Sequence, residues 1–393
     1  MDASATASEK NLKSRVNHVA TVAAAYADEV DRDSRFPKEA VDAMKAERLL
    51  GIMIPEELGG EGLSISEIAE LCSTLGQACA SSAMIFAMHQ IKTSSLVTHG
   101  NDADWHRNFM RRIAAEQLLL GSATTEAGIG GNLRNSICAI DAKDGRCFLE
   151  KDATVISYGV ESDAILITSR SHKDAASSDQ VMTVFLKDQY TIDKTHVWDT
   201  LGMRGTCSDG FMFRGEAPAE QVLPHPFAEI AAQSMLATAH LLWSSVWYGI
   251  ALDAFTRAQN FVRAAARKAP GTQPPGLVQL AELSSQLQVI RSNIVGGLRS
   301  YEDACKDQDR LSSMGFAVAM NNVKIASSEM ILPIINQAMR ICGIMGYKNG
   351  TPYSLGRHLR DAHSAQLMIS NDRILGNTSN MLLVHKQETS LLG

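Results

Sequence analysis

The sequence predicts an α+β fold in which two helical regions flank a small antiparallel β region. Apolar residues recur at helical spacing from Asn11 to about Ala114 and again from about Phe227 to the end, while from about Gln117 the period drops to two. Helices and strands are segregated along the chain rather than alternating, which is the mark of α+β layering. With roughly 150 residues per domain as a guide, the 393 residues divide into regions 1–118, 119–226 and 227–393.

In the first region Val16, Val19, Ala20 and Ala23 share one helical face, and Ala40, Met44 and Leu49 the next. Phe36-Pro37 puts a proline at a first helical turn, and Ile54 to Gly62 is a proline and glycine loop. Ser64-Ile-Ser-Glu67 reads as a capping box. Residues 81–99 form a helix carrying Met84, Met88, His89 and His99; His89 is either a core histidine with a satisfied nitrogen or a catalytic group.

Seven short strands are expected in the middle region, at 118–125, 136–142, 147–151, 154–157, 164–169, 181–186 and 210–213. Ala217 to Pro224 is the exit segment. Helices then return at about 231–266, 274–305, 308–344, 354–365 and 370–386, with a glycine-rich turn from Gly343 to Gly350.

Composition narrows the function classes. A net charge of −6 with no run of lysines or arginines longer than two argues against nucleic acid as a partner. The seven cysteines are widely spaced with no C-x-x-C pair, so no metal site or disulfide framework is expected, and reduced thiols suit a cytoplasmic location. Met1 to Arg15 lacks the apolar core of a signal peptide. The longest apolar run, Met235 to Ala251, is interrupted by His240 and Ser244-Ser245 and reads as a buried helix rather than a membrane span.

The most informative stretch is Leu118 to Asn132, an apolar strand that enters Thr124-Thr125-Glu126-Ala127 and then three glycines in four positions. Glycine removes the Cβ that would hold a ligand off the backbone, so such a turn brings amides and two hydroxyls against a flat polar ligand. Taken alone, the same letters also describe an empty hairpin turn.

Four segments in order resemble the acyl-CoA dehydrogenase superfamily of flavoproteins over nearly the whole chain. They are Phe36-Pro-Lys-Glu-Ala with Leu50 to Gly62, Thr125-Glu-Ala-Gly-Ile-Gly-Gly131, Leu201-Gly-Met-Arg-Gly-Thr206, and Arg360-Asp-Ala362. The resemblance implies an N-terminal helical domain, a β-barrel-like middle domain and a C-terminal four-helix bundle, assembled as a homotetramer or homodimer. It also implies FAD, with Thr124, Thr125, Ala127, Val155 and Ser157 lining the ring. Ser157 falls near flavin N5, and Val155 falls where the family carries a shielding Trp. Ser157 is otherwise a serine bonding its own backbone. Gly131 falls where a Ser meets the acyl thioester; Arg267, Gln337 and Gly343 fall where pyrophosphate and adenosine are held, without the usual Phe-Gly after the arginine.

Family members abstract a proton with a Glu nine residues after the Arg of Arg-Asp-Ala, and here that position is Ile369. An alternative base position falls on Ala239, beside His240, which makes His240 a candidate base and substrate contact. Asp372 lies three residues past Ile369 and is either a displaced base or an acid at a helix N-terminus. Three functions follow. The first is oxidation of an acyl thioester with Asp372, His240 or His89 as base, handing electrons to an electron-transfer flavoprotein. The second is a monooxygenase of the same fold that receives reduced flavin, FMN or FAD, from a flavin reductase, with His89 and Ser157 hydrogen-bonding the activated oxygen. The third is a flavin-binding protein without catalysis.

Overall fold

The computed structural model describes residues 3–130 and 132–386. Five helices come first: α1 (Ala3–Asp33), α2 (Lys38–Ala46), α3 (Ile65–Ala78), α4 (Ala80–His99) and α5 (Asp104–Glu116). The face of α1 that the spacing picks out is inward, with Val16, Val19, Ala23, Ala27 and Val30 all buried. The capping box forms as expected: the Glu67 carboxylate accepts from the Ser64 amide at 2.8 Å, and the Glu67 amide donates to Ser64 Oγ at 3.3 Å.

Seven strands follow: β1 (Leu120–Ala123), β2 (Asp141–Lys143), β3 (Arg146–Ala153), β4 (Ala164–Arg170), β5 (Gln180–Leu186), β6 (Tyr190–His196) and β7 (Gly210–Pro218). They make a three-stranded sheet, β1-β4-β5, and a four-stranded sheet, β2-β3-β7-β6. Both sheets are open, so the expected barrel-like closure is not present among the described residues. β1 runs parallel to β4 in register Leu120 with Ala164, so the middle region is mixed rather than wholly antiparallel. Alternation along β3 is strict, and its inward residues Cys147 and Leu149 join Ile165, Ile167, Phe185, Phe211 and Phe213 in one apolar cluster.

Three strand expectations need correcting. Residues 136–142 enter a ladder only at β2, because the amides of Ile137 and Cys138 are bonded to Glu126 instead. Residues 154–157 pair with no strand and are held by single amide bonds to the 206–209 segment. Strand β6 is absent from the sequence reading because it is an edge strand, mostly exposed, with only Tyr190 and Ile192 packed inward.

The remaining helices are α6 (Phe227–Ile230), α7 (Leu236–Lys268), α8 (Leu277–Ala304), α9 (Gln308–Leu311), α10 (Met314–Cys342), α11 (Ile344–Tyr347), α12 (Gly356–Ala362) and α13 (Asn371–Leu382), with a π-helical turn, Ala231–Met235, joining α6 to α7. The expected helix 308–344 is interrupted, because Ser313 caps a new start by accepting from the Phe316 amide at 3.2 Å. The run Phe227–Lys268 has the length and apolarity of a membrane span, yet 78% of its most apolar window is buried in the protein, as in a core helix.

Contacts divide the chain into two compact units: Met1–Ile68 with Met84–Thr200 and Arg204–Ala239, and Ala69–Ala83 with Leu201–Met203 and His240–Gly393. In the second unit two of the sequence signatures meet. The Met203 amide donates to buried Asp361 at 2.7 Å, and a Cβ on Gly202 would lie 2.2 Å from the Arg360 carbonyl oxygen. Gly202→Ala must therefore displace backbone, and it is expected to lower the unfolding free energy by about 1–3 kcal/mol in denaturant melts. Unchanged stability would contradict this close approach.

Candidate functional site

In the first unit the site is assembled around β1. The Leu120 amide donates to His89 Nδ1 at 3.1 Å, and His89 Nε2 donates to the Leu50 carbonyl at 2.7 Å. Nδ1 acting as acceptor fixes the proton on Nε2. Both nitrogens of this fully buried ring are engaged within the fold, so His89 joins α4, β1 and the loop after α2, which fits the core alternative of the two the sequence left open. Burial pushes its pKa down to about 4 despite the Leu50 bond, which keeps the ring neutral.

Beyond β1 the turn is pinned by Glu126. Its buried carboxylate accepts from Ser136 Oγ at 2.8 Å and from the amides of Ile137 at 3.0 Å and Cys138 at 2.6 Å. Burial alone would raise its pKa, but these three donors and Lys151 hold it below the usual carboxylate range. Thr125 Oγ1 donates to the Val155 carbonyl at 3.1 Å, and the Ala127 amide to the Asp152 carbonyl at 3.0 Å. The glycine turn and the 152–157 segment thus lie side by side. Gly128 and Gly130 have φ of 87° and 57°, a backbone that L side chains rarely adopt. Gly131, the expected thioester contact, lies outside the described residues.

Alternate residues of the 155–158 segment face opposite ways. Ile156 and Tyr158 are buried and donate their amides to the carbonyls of Asp209 and Thr206. Val155 and Ser157 are half-buried on the other face, and among the described residues the amides of Thr125, Val155 and Ser157 donate to no protein acceptor. The Ser157 hydroxyl bonds Ser208 Oγ at 2.8 Å, and Ser208 bonds Thr206 Oγ1 at 2.8 Å, forming a chain of three hydroxyls. Open amides beside Thr124, Thr125 and Ser157 suit a flat heterocycle whose carbonyl oxygens and ring nitrogens accept hydrogen bonds. Ser208 was not singled out in the sequence, and Thr206 entered only as the end of the Leu201 to Thr206 signature, because both approach Ser157 from a distant segment.

In the second unit Ile369, at the expected base position, has φ of 48°, an uncommon conformation for a β-branched residue. Its carbonyl accepts from the buried Lys324 ammonium at 2.8 Å, and the same ammonium donates to Asn371 Oδ1 at 2.6 Å. Ser328 bonds Asn371 as well, and the Trp247 ring lies 5.7 Å from the charge. Burial brings the Lys324 pKa down to about 8, against a smaller opposing effect of Glu329. The signal in the sequence was Lys324 itself, the one lysine in the largely apolar stretch that forms α10.

The other candidates in this unit fare differently. His240 is buried, its Nε2 3.2 Å from Asn321 Oδ1, while Asn321 bonds Thr378 on α13. Burial, with Lys324 adding to it, takes its pKa to about 4. His240 thus packs in the helical core through Nε2, while its buried Nδ1 has no protein partner. Asp372 is exposed in the first turn of α13, where an acid favours the helix N-terminus. Arg267 is exposed near the end of α7, and Gly343 is exposed at the end of α10. Gln337 spends its amide on Glu282 at 2.8 Å and on the Gln279 carbonyl at 3.4 Å, which ties α10 to α8.

Two family models, acyl-CoA dehydrogenase N-terminal domain and acyl-CoA dehydrogenase C-terminal domain, match residues 6–117 and 230–377. The chain belongs to the acyl-CoA dehydrogenase family, whose fold carries flavin-dependent oxidoreductases. It is 27% identical over 348 residues to glutaryl-CoA dehydrogenase of Desulfococcus multivorans, covering 86% of each chain. It is 23% identical over 347 residues to the amino sugar nitrososynthase DnmZ of Streptomyces peucetius, covering 86% of this chain and 84% of DnmZ. In fold it resembles FMN-bound TdsC, a dibenzothiophene monooxygenase from Paenibacillus sp. A11-2, with a TM-score of 0.83 at 19% identity over 96% of this chain and 98% of TdsC.

The buried neutral histidines give a pH test. An unfolded imidazole titrates near 6.5, whereas His89 and His240 in the fold titrate at about 4. Below 6.5 the unfolded chain takes up protons that the fold excludes, so this stability is complete above pH 6.5 and is lost as the pH falls toward 4. Thermal melts should show Tm declining across that window. A Tm independent of pH there would contradict the neutral, buried assignments.

Proposed function

We propose that this protein is a flavin-dependent monooxygenase, supplied with reduced flavin by a separate reductase, rather than an acyl thioester dehydrogenase. One observation carries the reading: Ile369 occupies the expected base position, and its carbonyl is held by the buried Lys324 ammonium. A weak carbon acid does not ionise without a positioned base. An alkyl side chain beside a cation supplies none. His89 and His240 have their nitrogens committed to, or enclosed within, their own units, and Asp372 is in solvent.

Bound reduced flavin supplies the electrons that activate O2. The chain's own contribution is to orient the ring and handle protons. The amides of Thr125, Val155 and Ser157 are donors for the ring edge, and the Thr124 and Thr125 hydroxyls lie beside them. Ser157 Oγ can hold a proton toward the ring and exchange it along Ser208 and Thr206, since each hydroxyl both donates and accepts. Val155, smaller than the family's Trp, leaves room on that face. FMN is favoured over FAD, because Gln337 is already spent on Glu282 and the Phe-Gly after Arg267 is missing.

The family match supports a second reading, thioester oxidation, and one experiment separates the two. Flavin-loaded protein is mixed anaerobically with a panel of acyl-CoAs, and the flavin absorbance is followed. No bleaching is expected; fast bleaching by any thioester would overturn the monooxygenase reading. In rapid mixing of the reduced complex with O2, Ser157→Ala should change the reoxidation rate about tenfold, the equivalent of one hydrogen bond. The melting temperature should hardly move. Equal rates would remove Ser157 from the chemistry.

A further inference from the structure

A cluster in the first unit takes no part in the flavin reading. His99 is the last residue of α4, His225 lies two residues before α6, and Glu229 is within α6. Each offers one ligand atom, and the three atoms lie within 4.8 Å of one another. His225 Nδ1 and Glu229 Oε1 are 2.8 Å apart, one helical turn from each other in sequence. The His99 and His225 rings meet edge to face, with centroids 5.2 Å apart.

His99 is the unusual member. It is 2% exposed, and its Nε2 has no hydrogen-bond partner. A buried polar atom left unpaired is costly and uncommon, and here it sits among two further donor groups. His225 and Glu229 are partly exposed, so solvent can supply a fourth ligand while their side chains adjust.

We infer that His99, His225 and Glu229 form a binding site for a divalent transition metal of the Zn2+ class. Two imidazoles and one carboxylate, with a position left to water, are the donors this ion takes in tetrahedral geometry. Bonds of about 2.0–2.2 Å place ligand atoms roughly 3.3 Å apart, so binding draws the three atoms inward by rotation of the two exposed side chains. The hard ions Mg2+ and Ca2+ prefer sites made of oxygens and are not favoured by two imidazoles.

The location gives the ion a structural consequence. It joins the end of α4 to the segment leading into the π-helical turn Ala231–Met235. That turn already packs on α4: Lys92 Nζ, buried, lies 3.2 Å from Met235 Sδ, and Ser234 Oγ bonds Ser95 Oγ at 3.4 Å. Metal binding would fasten the first turn of this connection, where the chain passes from strands to the last set of helices.

The test is calorimetric titration of the full chain with Zn2+ after chelator treatment, with Co2+ as a second probe for its visible absorption. One Zn2+ per chain is expected, with a four-coordinate Co2+ spectrum and a Tm that rises with Zn2+ concentration. His99→Ala and Glu229→Gln should each weaken binding at least tenfold and remove the Tm rise. Glu229 is partly exposed, so Glu229→Gln keeps the fold and isolates the ligand effect. No saturable binding, or equal affinity in the wild type and in Glu229→Gln, would overturn the site.

Discussion

The bond between the Lys324 ammonium and the Ile369 carbonyl governs what the second unit can do. A buried cation is costly unless hydrogen-bonded, and here Ile369 and Asn371 accept from it while the Trp247 ring lies alongside. The bond is paired with a left-handed backbone at Ile369, a conformation sustained only where surrounding contacts enforce it. Removing the lysine would leave the strained Ile369 carbonyl without this donor and Asn371 Oδ1 with Ser328 alone. The same bond keeps a positive charge beside Ile369, the residue nine positions after Arg360.

The first unit depends on a comparable joint. His89 accepts from β1 and donates to the loop after α2, so the strand that delivers Thr124 and Thr125 is registered against α4 by a neutral ring. Glu126 then closes the turn by gathering three donors from 136–138. With these contacts made internally, the amides of Thr125, Val155 and Ser157 are left for a ligand, and the serine sits at the end of a hydroxyl chain. Around β1 the buried groups His89 and Glu126 are satisfied within the fold, while the amides of Thr125, Val155 and Ser157 stay open beside them.

Much of the architecture was legible in the sequence, because helical period and capping are local. The inward face of α1, the Ser64 box and the extent of α4 follow from residues a few positions apart. The strand region was less legible. β6 packs only Tyr190 and Ile192 inward, and 136–138 is irregular because a side chain, Glu126, takes the amides that a strand would have used. Thr125, Val155 and Ser157 were singled out through motif likeness, and the structure places Thr125 against the segment that carries Val155 and Ser157. Ser208 and Lys324 were missed because their partners are about 50 residues away in sequence, a separation that no spacing rule reports. For His89 and His240 residue type alone left chemistry and core packing both open, and only the bonds that His89 makes with Leu120 and Leu50 distinguish them.

The central claim is that this chain does not take a proton from the α-carbon of a thioester. The most direct measurement is exchange of the α-hydrogens of a short-chain acyl-CoA in D2O, followed by proton NMR with the flavin-loaded protein. Loss of the α-proton signal no faster than in buffer is the expected result, since Ile369 and the Lys324 ammonium offer no base. Exchange that is faster with the protein and scales with its concentration would contradict it.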